Sequence, residues 1–398
     1  MKKHVVYIVV DGLPDLPTKG TTPLKEARKP NLDWFAKNGS TGEMTTIPKS
    51  YWTDTTKASA SHIANISILG YDFKKFPIKR GPLEAVGAGV PYQEGHLAVR
   101  CNFASVNKDM VVVDRHVSRS SFGLDEIARY INQHVDIGVP FTFMRTFEHR
   151  AVLILKNKLS DAVTTNDPYK NGEKVKRVEA TKPDAVLTAR LLQEFIEKAH
   201  NVIEYHPKNA ERLAQGLPPA NYILIREAGN QLLDLMPHFP KRWKIKKAVC
   251  IASNGAMKAT CLLAGFSAVT IPELPFEETL DFIFENIEEL LPDYEFIFAH
   301  IKAVDEAGHD GDFERRKRMI EAIDKKLTMF KDFDGIVVVT ADHITSTEKK
   351  SHMPGPVPIV VYGRGKKDAV KIFDEFSVKK GKLKNYTGLK LLKYVFGR

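Results

Sequence analysis

Four short apolar runs, each closely followed by a polar residue with chemistry to offer, constrain this chain more than any other feature. Val5–Val10 leads to Asp11, Phe296–Ile301 to Asp305, Ile336–Thr340 to Asp342 and Ala248–Ala252 to Ser253. Near-continuous apolar runs of this length predict strands buried on both faces, the pattern of a mostly parallel sheet sandwiched by helices. Amphipathic patterns at 31–37, 258–263, 280–291 and 312–333 alternate with these runs, so the fold class reads as α/β. In open sheets of this kind ligands collect at the carboxyl ends of the strands. Asp11, Asp305 and Asp342 all lie just past such ends.

Residues 100–185 have a different texture, with short alternating runs at 110–113 and 151–155 broken by Asn, Asp, Gly and Pro. They read as a smaller α+β domain inserted into the α/β core, which then comprises 1–99 and 186–398. After a long helix at 184–200, the chain is expected to rejoin the core around 221–225. A length of 398 residues supports such a division, because single cores stop growing below it.

With 43% hydrophobic and 27% charged residues the composition is that of a soluble globular protein. No stretch reaches the roughly 18 uncharged apolar residues that span a bilayer, and the apolar run after Met1 is too brief for a signal peptide. The reading is cytoplasmic, with no membrane partner. Cys101, Cys250 and Cys261 have neither an even count nor CxxC spacing, which argues against disulfides and thiolate metal sites. The formal net charge of +10 comes from dispersed lysines. Its densest runs, 241–247 and 379–384, lack a recognition helix or an RNP-like aromatic pattern, so nucleic acid is not expected as a partner. Oligomeric state is left open.

Divalent cations that carry phosphate chemistry take carboxylate oxygens, and manganese and zinc also accept imidazole. Asp11 stands in VVDG, Asp305 and His309 in AVDEAGHDGD, Asp342 and His343 in TADH, with His352 nine residues on. A four-residue Asp-to-His spacing brings both side chains to one ion on a helical turn, but also arises by chance. An adjacent Asp-His pair serves two ions, or is a helix N-cap followed by a surface histidine. The hydroxyl-rich stretch TDTTKASASHIAN runs into a helical pattern, which makes Ser59 or Ser61 either an N-cap or a nucleophile at the positive end of a helix.

Taken together the motifs resemble a family. VDGLPDLP, TPLKEARKPNLDWFAKNG, SILGYD, RGPLEAVGAG, VRCNFASVN, VVDRHVSR, EHRAVLIL, GLPPANYIL, AVDEAGHDGDF, TADHITS and DEFSVKKG occur in order along nearly the whole chain. They are similar to the archaeal-type, cofactor-independent phosphoglycerate mutases of the alkaline phosphatase superfamily. The resemblance implies an alkaline-phosphatase-like core and two divalent ions, manganese first, with zinc, cobalt or magnesium as substitutes, and no 2,3-bisphosphoglycerate. It assigns Asp11, Ser61, Asp342 and His343 to one ion, and Asp305, His309 and His352 to the other. It makes Ser61 the nucleophile that takes the phosphoryl group from 3-phosphoglycerate and returns it as 2-phosphoglycerate, with Lys258 as the active-site lysine. Arg100, Asp114, Arg115, Arg119, His149 and Arg150 fall in its substrate-binding motifs, and the arginine fork suits carboxylate and phosphate oxygens.

The chain departs from the family's Ser-Asp-x-x-His pattern at the nucleophile, where His62 follows Ser61 and Asn65 lies four residues on. That departure motivates an alternative on the same scaffold, a metal-dependent phosphatase or kinase-like phosphotransferase acting on another small phosphate ester.

Overall fold

The computed structural model describes residues 4–53, 60–76, 79–231 and 236–398. The chain divides into two compact units, the first made of Met1–Phe76, Leu235–Ser253 and Thr260–Arg398, the second of Pro77–Asp234 and Asn254–Ala259.

The first unit is built on an eight-stranded sheet. Its strands run in the order Leu383–Tyr386, Ser40–Met44, Val357–Tyr362, Ile336–Thr340, Val5–Val10, Phe296–Ile301, Ala248–Ala252 and Ser267–Thr270. Five of the pairings are parallel. Those on either side of Val357–Tyr362 are antiparallel. The four apolar runs of the sequence are the four adjacent central strands, and every residue in them is buried. Each fully buried aliphatic or aromatic side chain there contributes about 1.5–3 kcal/mol, which makes these strand ends a rigid place to mount functional groups.

The helix Phe276–Leu290 packs on the strands Phe296–Ile301 and Ala248–Ala252, and Pro30–Asn38 packs on Val357–Tyr362. Two caps hold the chain that continues past the strand Phe296–Ile301. Gly311, at φ +78°, closes the helix Ala303–Asp310, a left-handed conformation that glycine adopts without strain. Asp312 then caps the helix Phe313–Lys326 by accepting from the Arg315 amide at 2.9 Å.

The second unit holds an antiparallel sheet of five strands, His96–Val106, Val112–Asp114, Phe141–Phe147, Arg150–Lys158 and Tyr222–Gly229. The helices Leu124–His134 and Val186–Ile203 bury Ile127, Ile131, Leu192 and Phe195 in the same core as Phe103 and Phe143. The unit is therefore larger than an insertion at 100–185. The segment around 221–225 does not rejoin the parallel sheet. It pairs along His96–Val106, Phe103 opposite Ile223, and so draws both flanks of the expected insertion into this unit. Among the described residues no helix is long and apolar enough to cross a membrane.

Candidate functional site

In the first unit the carboxyl ends of three neighbouring strands deliver Asp11, Asp305 and Asp342. The helix Ala303–Asp310 begins directly after the strand Phe296–Ile301 and presents Asp305 and His309 one turn apart. Past Asp342 and His343 the chain folds back as a short ribbon of Ile344–Ser346 with Ser351–Met353, in which Thr345 stands opposite His352. The ribbon returns His352 to the side of Asp305 and His309, from which the sequence separates it. Ser61 lies in the first turn of the helix Ala60–Ile68. Ser59 lies outside the described residues.

Ser61 Oγ is 2.9 Å from His343 Nε2, which in turn is 3.2 Å from Asp11 Oδ1 and 3.3 Å from Asp342 Oδ2. His309 Nε2 and His352 Nε2 are 2.9 Å apart and lie 3.4 and 3.5 Å from the two oxygens of Asp305. Bonds of about 2.1 Å to a common ion put neighbouring ligand atoms roughly 3.0–3.4 Å apart, so both spacings suit a divalent cation. The donors, mixed carboxylate and imidazole, suit manganese or zinc better than calcium. The seven residues expected from the sequence fall in one cluster.

The charge balance of the cluster points the same way. Burial and Asp305 push Asp11 up, yet hydrogen bonding and charge from His343, with help from His300, hold it below the ordinary carboxylate range. Asp342 is driven well above that range by burial and then by Asp11. Burial opposes a charge on His343, but Asp342, Asp11 and Asp305 raise it to about 10. Asp305 overcomes its burial through His309 and His352 and stays well below the usual range. Buried carboxylates that can coexist only by keeping protons nearby are a site in which a cation replaces protons.

Several residues that sequence reading did not single out shape the cluster. The Gly12 amide and the His343 amide both donate to Asp342 Oδ1, at 3.0 and 2.9 Å. Thr345 Oγ1 donates to Asp305 Oδ1 at 2.5 Å. Gly12 has φ +60°, and a Cβ there would sit 2.5 Å from Thr345 Oγ1 and 2.7 Å from Asp305 Oδ1, so this position admits no side chain. Arg316, fully buried, ties the Gly12–Pro14 turn down by donating to the Gly12, Leu13 and Pro14 carbonyls. It also pairs with Asp15 at 2.9 Å and reaches the Thr345 carbonyl at 2.6 Å. His300 sits inside the strand Phe296–Ile301, its Nε2 3.7 Å from Asp11 Oδ2. A lone histidine within FIFAHI was the signal available for it.

The second unit carries the opposite charge. Arg100, on the strand His96–Val106, approaches Glu84 at 3.5 Å and Glu227 at 3.6 Å. Arg115 forks onto the buried Asp167 through bonds of 2.9 and 2.7 Å. Arg226 stands 3.7 Å from the same carboxylate. Asp114 accepts from the His116 and Ser118 amides, both at 2.8 Å, which shapes a turn where Val117, Ser118 and Arg119 all have positive φ. Lys258 donates to Asn254 Oδ1 at 3.0 Å, and Asn254 in turn donates to the Thr146 carbonyl.

Glu84, Asp167 and Glu227 do not balance Arg80, Arg100, Arg115, Arg119, Arg150 and Arg226. Burial and then Arg115, Arg226 and Arg119 push His116 down to about 3. His149, its ring 4.8 Å from that of His116, is also depressed, by burial and then by Arg150. Among the described residues, the buried nitrogens Arg80 Nε, Arg100 Nε, Arg150 Nε and His149 Nδ1 have no hydrogen-bond partner. The two Glu84 oxygens beside them are unsatisfied as well, but guanidiniums outnumber the carboxylates they face, and that surplus of positive charge suits an anion. Arg80, Asp167 and Arg226 were not expected from the sequence: Asp167 meets Arg115 and Arg226 only in the folded chain, and Arg80 reads as an ordinary helix ion pair with Glu84.

A 2,3-bisphosphoglycerate-independent phosphoglycerate mutase from Methanopyrus kandleri is 37% identical over 98% of this chain and 95% of that protein. The chain belongs to the 2,3-bisphosphoglycerate-independent phosphoglycerate mutase family. The profile of this mutase family matches residues 36–209. A solved cofactor-independent phosphoglycerate mutase from Thermoplasma acidophilum is 29% identical, covers 99% of each chain and superposes with a TM-score of 0.61. A solved Pyrococcus horikoshii protein, 28% identical over 100% of this chain and 98% of that one, gives 0.78. The likeness to the mutase family therefore extends over both units.

Proposed function

We propose that this chain interconverts 3-phosphoglycerate and 2-phosphoglycerate through a phosphoserine on Ser61, in a centre that holds two manganese ions. The observation that carries the reading is the position of Ser61 Oγ, 2.9 Å from a ligand-type imidazole within a buried Asp/His cluster, in a chain of this family. Asp11, Ser61, Asp342 and His343 would hold one ion, and Asp305, His309 and His352 the other. Bound there, divalent cations lower the pKa of a hydroxyl and offset charge on a transferring phosphoryl group.

Ser61 Oγ forms a bond to phosphorus as the bond from phosphorus to O3 of the glycerate breaks, and the serine proton ends on O3. The glycerate reorients, and its O2 attacks the phosphoserine. Its hydroxyl proton then returns to Ser61, which makes the cycle neutral in atoms and charge. Arg100, Arg115, Arg119, Arg150 and His149 bind the carboxylate and phosphate oxygens, Asp114 fixes the turn that carries Arg119, and Lys258 brings an ammonium to the transferring group.

The test is a coupled assay with 3-phosphoglycerate and manganese. Formation of 2-phosphoglycerate, lost in Ser61→Ala and on chelation, supports the reading. Release of inorganic phosphate without 2-phosphoglycerate would mean that water is the acceptor and would overturn it.

A further inference from the structure

We infer that Arg212 is a positioning residue for anion binding, which holds the turn carrying His116 and Arg119 in the left-handed conformation that sets both in the guanidinium cluster. The inference rests on the proposed role of Arg119 in binding carboxylate and phosphate oxygens.

The turn is unfavourable in itself. Val117, Ser118 and Arg119 have φ of +41°, +59° and +54°, a region that residues with a Cβ rarely enter and a β-branched valine least readily. Three such residues in succession persist only where their surroundings over-determine them, and strain of this kind gathers at ligand-binding sites. Burial pins the Val117 side chain. Asp114 takes the amide side of the turn, at His116 and Ser118. Arg212 takes the carbonyl side.

Arg212 lies in the helix Pro207–Ala214 and is fully buried. Its Nη2 donates to the Val117 carbonyl at 2.9 Å, and its Nη1 to the Ser120 and Phe122 carbonyls at 3.3 and 2.6 Å. Its Nε donates to the Pro218 carbonyl at 2.9 Å. Four of the five N–H groups of the fork thus go to main-chain oxygens. Three of these oxygens belong to residues 117–122, and the fourth lies on the segment that leads into the strand Tyr222–Gly229, which carries Arg226. One side chain therefore ties together the two segments that supply Arg119 and Arg226 to the cluster. These acceptors are all neutral. A charge buried without a carboxylate partner is an unfavourable way to fill a core, and its bonds fall where the anion site needs its shape.

What the turn presents is specific. His116 has its ring 4.8 Å from that of His149, and burial and then guanidiniums, Arg119 among them, depress both histidines. Side-chain direction follows the backbone, so a turn relaxed to negative φ at three residues would point His116 and Arg119 elsewhere.

The experiment is calorimetric titration of the chelator-treated full chain with inorganic phosphate, beside KM and kcat for 3-phosphoglycerate with manganese. The variants are Arg212→Lys, Ser118→Val and Arg119→Ala, the last also combined with Arg212→Lys. Lysine keeps the charge of Arg212 but not its fork. It should weaken phosphate about tenfold, the scale on which groups that orient a ligand's partners act, and should raise KM more than it lowers kcat. In the Arg119→Ala background the same change should cost little further, because the group it positions is gone. Ser118 is exposed, so Ser118→Val disfavours the left-handed backbone without touching a buried group. It should weaken phosphate in the same way, which keeps the test open if Arg212→Lys does not fold. Wild-type phosphate affinity in either folded variant, or a loss as large without Arg119 as with it, overturns the positioning role. So does a wild type that binds no phosphate. The expected pattern of phosphate binding in a chain that forms no 2-phosphoglycerate supports the positioning role and overturns the mutase reading alone.

Discussion

The acidic cluster of the first unit and the guanidinium cluster of the second are opposite in charge but alike in their tension. In the first, carboxylates are crowded until Asp342 and His343 must hold protons that such groups ordinarily release. In the second, burial and then crowded guanidiniums keep from His116 a proton it would ordinarily share. Each cluster is unsatisfied in the sense that defines its ligand, cations for one and anions for the other. They also differ in construction. The acidic residues come from the ends of buried strands and helices, whereas the arginines pair laterally with Glu84, Asp167 and Glu227.

The largest expected effects separate the clusters by function. Asp305→Ala removes the carboxylate that faces His309 and His352 in the proposed metal centre, and should lower kcat/KM on the order of 10³–10⁵-fold, since metal-supplied charge stabilisation amounts to several kcal/mol. Metal content of the purified variant should fall with it. Arg150→Ala should leave metal content unchanged and act through KM for 3-phosphoglycerate. If Arg150→Ala strips metal, or Asp305→Ala changes KM alone, the division of labour is wrong.

Next in size is a change of stability. Arg115→Met leaves Asp167 buried without its fork, and breaking a buried pair in this way costs about 3–5 kcal/mol. Chemical denaturation should report that loss with metal binding intact. A variant as stable as wild type would mean that the fork onto Asp167 adds nothing to the stability of the fold. Smaller again is Gly12→Ala, whose methyl would collide with Thr345 and Asp305. Disturbing groups that orient metal ligands typically costs 10–100-fold in affinity, and calorimetric titration with manganese should find a loss of about that size. Unaltered affinity would show that Thr345 and Asp305 move aside freely.

The same contrast explains what was legible in the sequence. Strands buried on both faces must be apolar throughout, so the four central strands were readable to their last residues, and with them the positions of Asp11, Asp305 and Asp342. His343 and His352 followed from the family pattern. His300 was lost because a polar residue inside an apolar run reads as an ordinary strand position until the register with Val9 is known. Arg316 and Asp15 are some 300 residues apart in the chain, and no local pattern links them. In the second unit the pairing of Tyr222–Gly229 with His96–Val106 spans more than a hundred residues. Sequence texture therefore placed the boundaries at 100 and 185, where the alternation changes, and not at the edges of the compact unit. Asp167 escaped for the same reason, since only the folded chain brings it to Arg115 and Arg226.

The smallest effect tests the guanidinium cluster on its own terms. His116 ordinarily titrates near 6.5 and is held near 3 by burial and then by Arg115, Arg226 and Arg119. Below 6.5 the unfolded chain takes up a proton that the folded chain refuses, so the unfolded state binds more protons and stability rises with pH across this window. The contribution is complete above about pH 6.5 and is lost as pH falls toward 3, with a slope of up to about 1.4 kcal/mol per pH unit. Inorganic phosphate bound among the arginines offsets their charge, which allows His116 to accept a proton and flattens the slope. Denaturation of chelator-treated protein at pH 5 and pH 7, with and without phosphate, measures this, and His116→Phe isolates the one group from the metal-ligand histidines. A slope that His116→Phe leaves unchanged would assign the acid sensitivity to other groups, His149 beside it or the Asp/His cluster, and a slope indifferent to phosphate would mean that the arginines do not hold the anion their surplus charge calls for.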